Sequence, residues 1–102
     1  PFSADFAWVH LGDWSHGPIR LTDAQARVFA ALWEHRDRAQ SSEFIMRAAG
    51  LDSEKPMDVF KLKAANRGDP VYEGPLHAYE QLVSRQRRLG LYRLVWAEPS
   101  SL

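Results

Sequence analysis

The chain contains no cysteine, no long apolar run and no net charge. Each absence removes a class of protein. Without cysteine, 102 residues must be held together by one hydrophobic core with no disulfide staples, and one small domain is the expected unit. The four histidines, His10, His16, His35 and His77, form no His-x-x-x-His or His-x-His spacing, so no metal site and no cofactor are expected. No glycine-rich phosphate loop is present. Asp13, Ser15 and His16 share one turn, but near neighbours in sequence cannot adopt the relayed geometry of a catalytic triad, so an enzyme is not expected. No stretch of about 18 apolar residues can span a bilayer, and Pro1-Phe2-Ser3 lacks the basic and apolar regions of a secretion signal. A cytoplasmic location is the simplest expectation. Pro1 is compatible with loss of an initiator Met and equally with a piece of a longer protein.

What is present is an ordinary globular composition, 45% hydrophobic and 25% charged, with the charge unevenly distributed. Residues 1–53 hold five basic and seven acidic side chains, a balance of −2; residues 54–95 hold eight and five, a balance of +3. Within the basic half, Arg85, Arg87, Arg88 and Arg93 surround Leu89-Gly90, and no acid occurs between Gln81 and Ala97. Guanidinium stays charged and forks onto oxyanions, so the cluster suits phosphate. The alternative is a solvated hairpin whose charges protect an edge strand from pairing with other chains.

Phe6 to Leu11 is rich in strand formers and ends at the turn pair Gly12-Asp13, while Ile19-Arg20-Leu21 is a second short strand; their closeness predicts a hairpin. Trp8, alternating with Phe6 and His10, is expected to cover the helices. Thr22 as N-cap and Asp23 in the first turn open a first helix through Arg36, whose Ala26, Phe29, Ala30, Leu32 and Trp33 form a stripe to be buried. A second, short helix follows Ser41-Ser42 and closes at Gly50. A third is read from Ser53, with Pro56 tolerated in its first turn and Phe60 as core anchor, to about Ala65. Residues 66–75 read as an irregular loop. From Leu76 two readings compete, a helix running to a cap at Gly90 or a turn followed by a strand from about Leu82 to Arg87. The strand is preferred because Leu91 to Trp96 needs a pairing partner.

Two strands, three helices and a basic hairpin follow the order of winged helix-turn-helix domains. Two motifs resemble the effector domains of bacterial response regulators. One is the helix opening Ile19-Arg20-Leu21-Thr22-Asp23-Ala24-Gln25-Ala26; the other is Gly90-Leu91-Tyr92-Arg93-Leu94, which resembles the end of their wing. The resemblance implies an α+β winged-helix fold and sequence-specific duplex DNA binding, as a module of a bacterial or phage transcription regulator. It also implies a third helix in the major groove of duplex DNA and a wing on the backbone. On that carry-over Lys55, Asp58, Lys61 and Lys63 are the recognition-helix residues, and Arg85, Arg87, Arg88 and Arg93 belong to the wing. Against it, the Gly50–Ser53 connection is shorter than that family's, and residues 66–80 read as an insertion.

Each assignment has a plainer counterpart. Lysines line any solvent-facing helix, and Asp58 could accept from a cytosine amino group or simply solubilise its surroundings. Trp33 and Trp96 are expected in the core; Tyr72 and Tyr79 are expected to pack their loop onto the body. The competing function is a winged-helix module that binds protein, with Val71, Tyr72, Leu76 and Tyr79 of segment 66–80 as an apolar patch.

Overall fold

The computed structural model describes residues 2–86 and 88–95 and has an α+β architecture. Strands β1 (Trp8–Val9) and β2 (Ile19–Arg20) pair antiparallel as the expected N-terminal hairpin. Helix α1 (Asp23–Glu34) follows, then a two-residue strand β3 (Gln40–Ser41), α2 (Ser42–Ala48) and a long connection broken by 3-10 turns at Pro56–Val59 and Ala64–Asn66. Helix α3 (Pro70–Leu82) then runs directly into β4 (Val83–Gln86), which turns back through β5 (Leu91–Leu94). The second sheet has the order β3-β5-β4, with Ser41 opposite Leu91 and Val83 opposite Leu94.

Local chemistry explains the starts. Thr22 Oγ1 accepts the Gln25 N–H at 3.2 Å and Gln25 Oε1 accepts the Thr22 N–H at 2.9 Å, a closed capping box. Ser41 ends β3 and also caps α2, its hydroxyl accepting the Phe44 N–H at 3.1 Å. The buried core joins Val9, Ile19, Val28, Phe29, Leu32, Ile45, Tyr92 and Leu94. A series of rings crosses it: Phe2 meets Phe29 at 4.9 Å, Phe29 meets Phe60 edge-on at 5.3 Å, and Phe60 stacks on Tyr79 at 4.6 Å between centroids.

The third helix lies elsewhere than expected. Residues 53–65 form no α-helix; Phe60 is buried as expected, but its N–H bonds to Met57 in a 3-10 turn. The Val59 carbonyl accepts from Gln25 Nε2 at 3.0 Å, so an α1 side chain takes the group that would continue a helix. Residues 70–75, expected as loop, are helical instead, and the helix continues to Leu82, as in the less preferred of the two readings from Leu76. Asp69 Oδ1 accepts the Val71 N–H at 3.0 Å, Pro70 enters with its φ already set, and Glu73 Oε2 accepts the Gly68 N–H at 3.1 Å. Asp-Pro is here a helix start. The helix ends at Leu82 and the strand runs over Val83–Gln86, so each competing reading of this stretch holds for one part of it.

Gly74 sits where α3 crosses the hairpin. A Cβ there would lie 3.0 Å from Ile19 Cγ2, so the glycine sets how closely helix and hairpin approach. Pro75 removes the N–H that would bond the Val71 carbonyl in a regular helix. The phase of β1 is also corrected. Val9 is fully buried whereas Trp8 and His10 face outward, because Val9 opposite Ile19 points to the core. Trp33 is half-buried at the edge of the core, and Trp96 lies outside the described residues.

Candidate nucleic-acid interface

The β4–β5 hairpin carries the arginines. Gly90 has φ +60°, a left-handed conformation that suits glycine, and the Leu89 N–H bonds to the Gln86 carbonyl at 3.1 Å to close the turn. Arg85, Arg88 and Arg93 are exposed, and among the described residues none has a carboxylate within ion-pair distance. Arg87 lies outside the described residues.

The register divides the cluster. Arg85 stands opposite Tyr92, with its guanidinium 5.8 Å from that ring's centroid; Arg93 stands opposite Ser84, one residue along. Directly paired residues share a face and successive residues alternate, so Arg85 and Arg93 emerge on opposite faces of the sheet. Tyr92 is buried, which places Arg85 at the core rim and Arg93 on the outer face. Sequence proximity suggested one patch; the pleat separates it into two with Arg88 at the tip.

The lysine group is corrected more sharply. Lys55, Asp58, Lys61 and Lys63 occupy the irregular connection between α2 and α3, so they do not form the face of a recognition helix. Asp58 instead braces the connection, since its Oδ2 accepts the Lys55 N–H at 3.1 Å and its Oδ1 lies 3.6 Å from Lys61 Nζ. Its carboxylate is used within its own turn rather than held toward a base.

Helix α3, packed against β2 of the N-terminal hairpin, has no lysine or arginine along Pro70–Leu82. Its outward side bears Glu73, Leu76, His77 and Glu80, which with Trp14 and Leu62 line a shallow depression. His77 Nε2 lies 3.2 Å from Asp13 Oδ2, and Trp14 stacks on its ring at 4.8 Å. The N-terminal turn therefore clamps the middle of α3. The expected apolar patch of segment 66–80 is partly broken up as well. Val71 and Tyr72 are exposed, but Tyr79 is buried and Leu76 is half-covered. Burial pushes the Tyr79 phenol well above the ordinary tyrosine range, with Tyr92 adding to the shift and Arg85 opposing it.

Sequence reasoning missed two features, the His77–Asp13–Trp14 clamp and the exposed Trp8 beside Arg20. The clamp joins residues 64 apart in the chain, a contact no local pattern encodes. Trp8 was legible as an aromatic in a strand, but a one-residue error of phase placed it inside.

No protein-family model matches this chain, nor does any curated protein or solved structure searched.

Proposed function

We propose that this chain is a winged-helix module that binds duplex DNA chiefly by gripping the phosphate backbone with its β4–β5 hairpin. Two features support the fold reading: the succession helix, strand, helix, helix, hairpin, and the β3-β5-β4 order that sets the strand before α2 beside the last strand of the hairpin. The observation that carries the DNA reading is the hairpin itself, with three exposed arginines that no described carboxylate neutralises.

In this reading α3, not residues 53–65, takes the place of the recognition helix. Its outward Glu73 and Glu80 repel phosphate, and without cations it adds little to affinity. Backbone contact dominates, and sequence discrimination is shallow. Because Arg85 and Arg93 face opposite ways, one DNA backbone meets Arg88 with one of the two; with Arg87, its neighbour in sequence, that is about two to three phosphates and a log-log salt slope of about −1.8 to −2.7, rather than the −3.6 or so expected of four. Fluorescence anisotropy with random-sequence duplex from about 50 to 200 mM salt tests this. Absence of binding at the lower salt, or no weakening in Arg88→Ala, contradicts it.

The second reading, a winged-helix module that binds protein, is favoured by a separate observation: α3 is acidic outward and leads with the exposed Val71 and Tyr72. Under it, Arg88→Ala leaves partner binding unchanged, whereas charge reversal at Glu73 or Glu80 weakens it.

A further inference from the structure

Away from the arginine hairpin, β2 and the start of α3 border two neighbouring cavities. One of about 220 Å3 has Leu21, Phe60 and Pro75 among its walls, with Tyr72 beside them and Lys61 at its edge. The other, about 310 Å3, is walled by Trp8, Trp14, Pro18, Ile19 and Pro70. Both are lined by Arg20 and Val71, so these two residues form the ridge between them. Each volume exceeds the roughly 150 Å3 that holds a benzene ring, so each admits one aromatic or branched side chain.

The surroundings are unusually apolar for a free surface. Val71 is 70% exposed, Tyr72 50% and Trp8 42%. Large exposed apolar groups gathered around concave sites mark places where another molecule docks. The ridge adds charge. The Arg20 guanidinium lies 5.4 Å from the Trp8 ring centroid, and no carboxylate among the described residues is within ion-pair distance of it. Lys61 is held only loosely by Asp58, at 3.6 Å, and remains largely exposed.

We propose that this two-pocket groove docks a segment of a partner protein in which two large apolar side chains flank an acidic residue. The apolar side chains fill the cavities, and the carboxylate meets Arg20 with Lys61 nearby. The chemistry is complementary to the groove and differs from that of the hairpin. Nucleic acid would place phosphate against walls that are mostly hydrocarbon. The inference does not rest on the DNA reading.

The test is a 1H–15N titration of the intact chain with acetylated, amidated peptides having Phe-Glu-Leu and Phe-Glu-Glu-Leu cores. Peptides with Gln in place of Glu, and sodium benzoate, serve as comparisons. The proposal expects the Trp8 indole N–H and the Arg20 and Val71 amides to shift together. It expects binding about fivefold weaker for the Gln cores, and that gap narrowed to less than about twofold in Arg20→Gln. Val71→Ser, a change at an exposed position, weakens every peptide without altering the rest of the spectrum. Equal binding of Glu and Gln cores overturns the proposal, as does the absence of shifts at these three residues with either Glu core. Saturation by benzoate without peptide binding would make the site one for small anions. Shifts of the same residues on simple concentration of the protein would make the face a self-association surface. Either result also overturns the proposal.

Discussion

Residues 53–65 and 70–82 have exchanged the roles their compositions suggest. The first is rich in lysine, carries only one proline and reads as a helix; the second contains Gly74 and two prolines, and its first part, to Pro75, reads as a break. Yet the second is α3, and the first is a pair of 3-10 turns separated by extended chain. Position within the core decides the exchange. Phe60 is fixed between Phe29 and Tyr79, and Gln25 holds the Val59 carbonyl, so the lysine segment is shaped by α1 rather than by its own propensity. The proline-bearing segment has an N-cap, a proline at its first position and a glycine where close approach is needed. Propensity is a weak prior against three such specific contacts.

Substitutions can break this comparison from either side. The largest effect is expected for Phe60→Ala, which removes the ring joining α1 to α3 and costs about 3–5 kcal/mol in urea unfolding. Gly74→Val drives a branched side chain into Ile19 and costs about 2 kcal/mol, with the hairpin β1–β2 losing amide-exchange protection before the β4–β5 sheet does. Gln25→Leu leaves the Val59 carbonyl and the Thr22 N–H without their partner and costs about 1–3 kcal/mol by the same unfolding measurement. Asp69→Ala removes the cap of α3 and costs about 1 kcal/mol, visible as fraying of its first turn in NMR.

The alkaline limb gives a further, pH-dependent check on the junction. Tyr79 has a phenol raised in the folded state, so the unfolded chain releases that proton first as pH rises. Stability is therefore fully retained below about pH 10, the unfolded tyrosine value, and declines above it toward the higher folded value. Tyr79→Phe removes this source of alkaline decline.

Much of the fold was legible wherever a local pattern carried its own confirmation. Thr22 with Gln25, Ser41 before Phe44, and Gly90 in the hairpin turn each satisfy backbone groups nearby, and α1, α2 and the last hairpin lie close to their expected places. The two motifs that carried the family resemblance are made of these same residues. They build a capping box, a turn and the buried Tyr92 and Leu94, and so report architecture rather than a ligand. Strand β3 was not foreseen, because two residues, one of them also an N-cap, leave no alternation to read. The candidate site was less legible. Arg85, Arg88 and Arg93 are exposed on a hairpin as expected, but the division of Arg85 and Arg93 between two faces follows from register, and a one-residue step decides it. The lysines were placed on a helix that long-range contacts prevent, and the clamp of Asp13 on His77 depends on the fold as a whole.

The proposed electrostatic grip on DNA belongs to the hairpin and not to the lysine segment or α3. Its most direct test is the salt dependence of duplex binding measured in parallel for the wild type, Arg88→Ala and the Lys61→Ala, Lys63→Ala double variant. The wild type is expected to show a slope of about −1.8 to −2.7, Arg88→Ala about one phosphate fewer, and the lysine variant an unchanged slope. A wild-type slope of about −3.6 or steeper, or a slope lowered by loss of the lysines and not of Arg88, would contradict it.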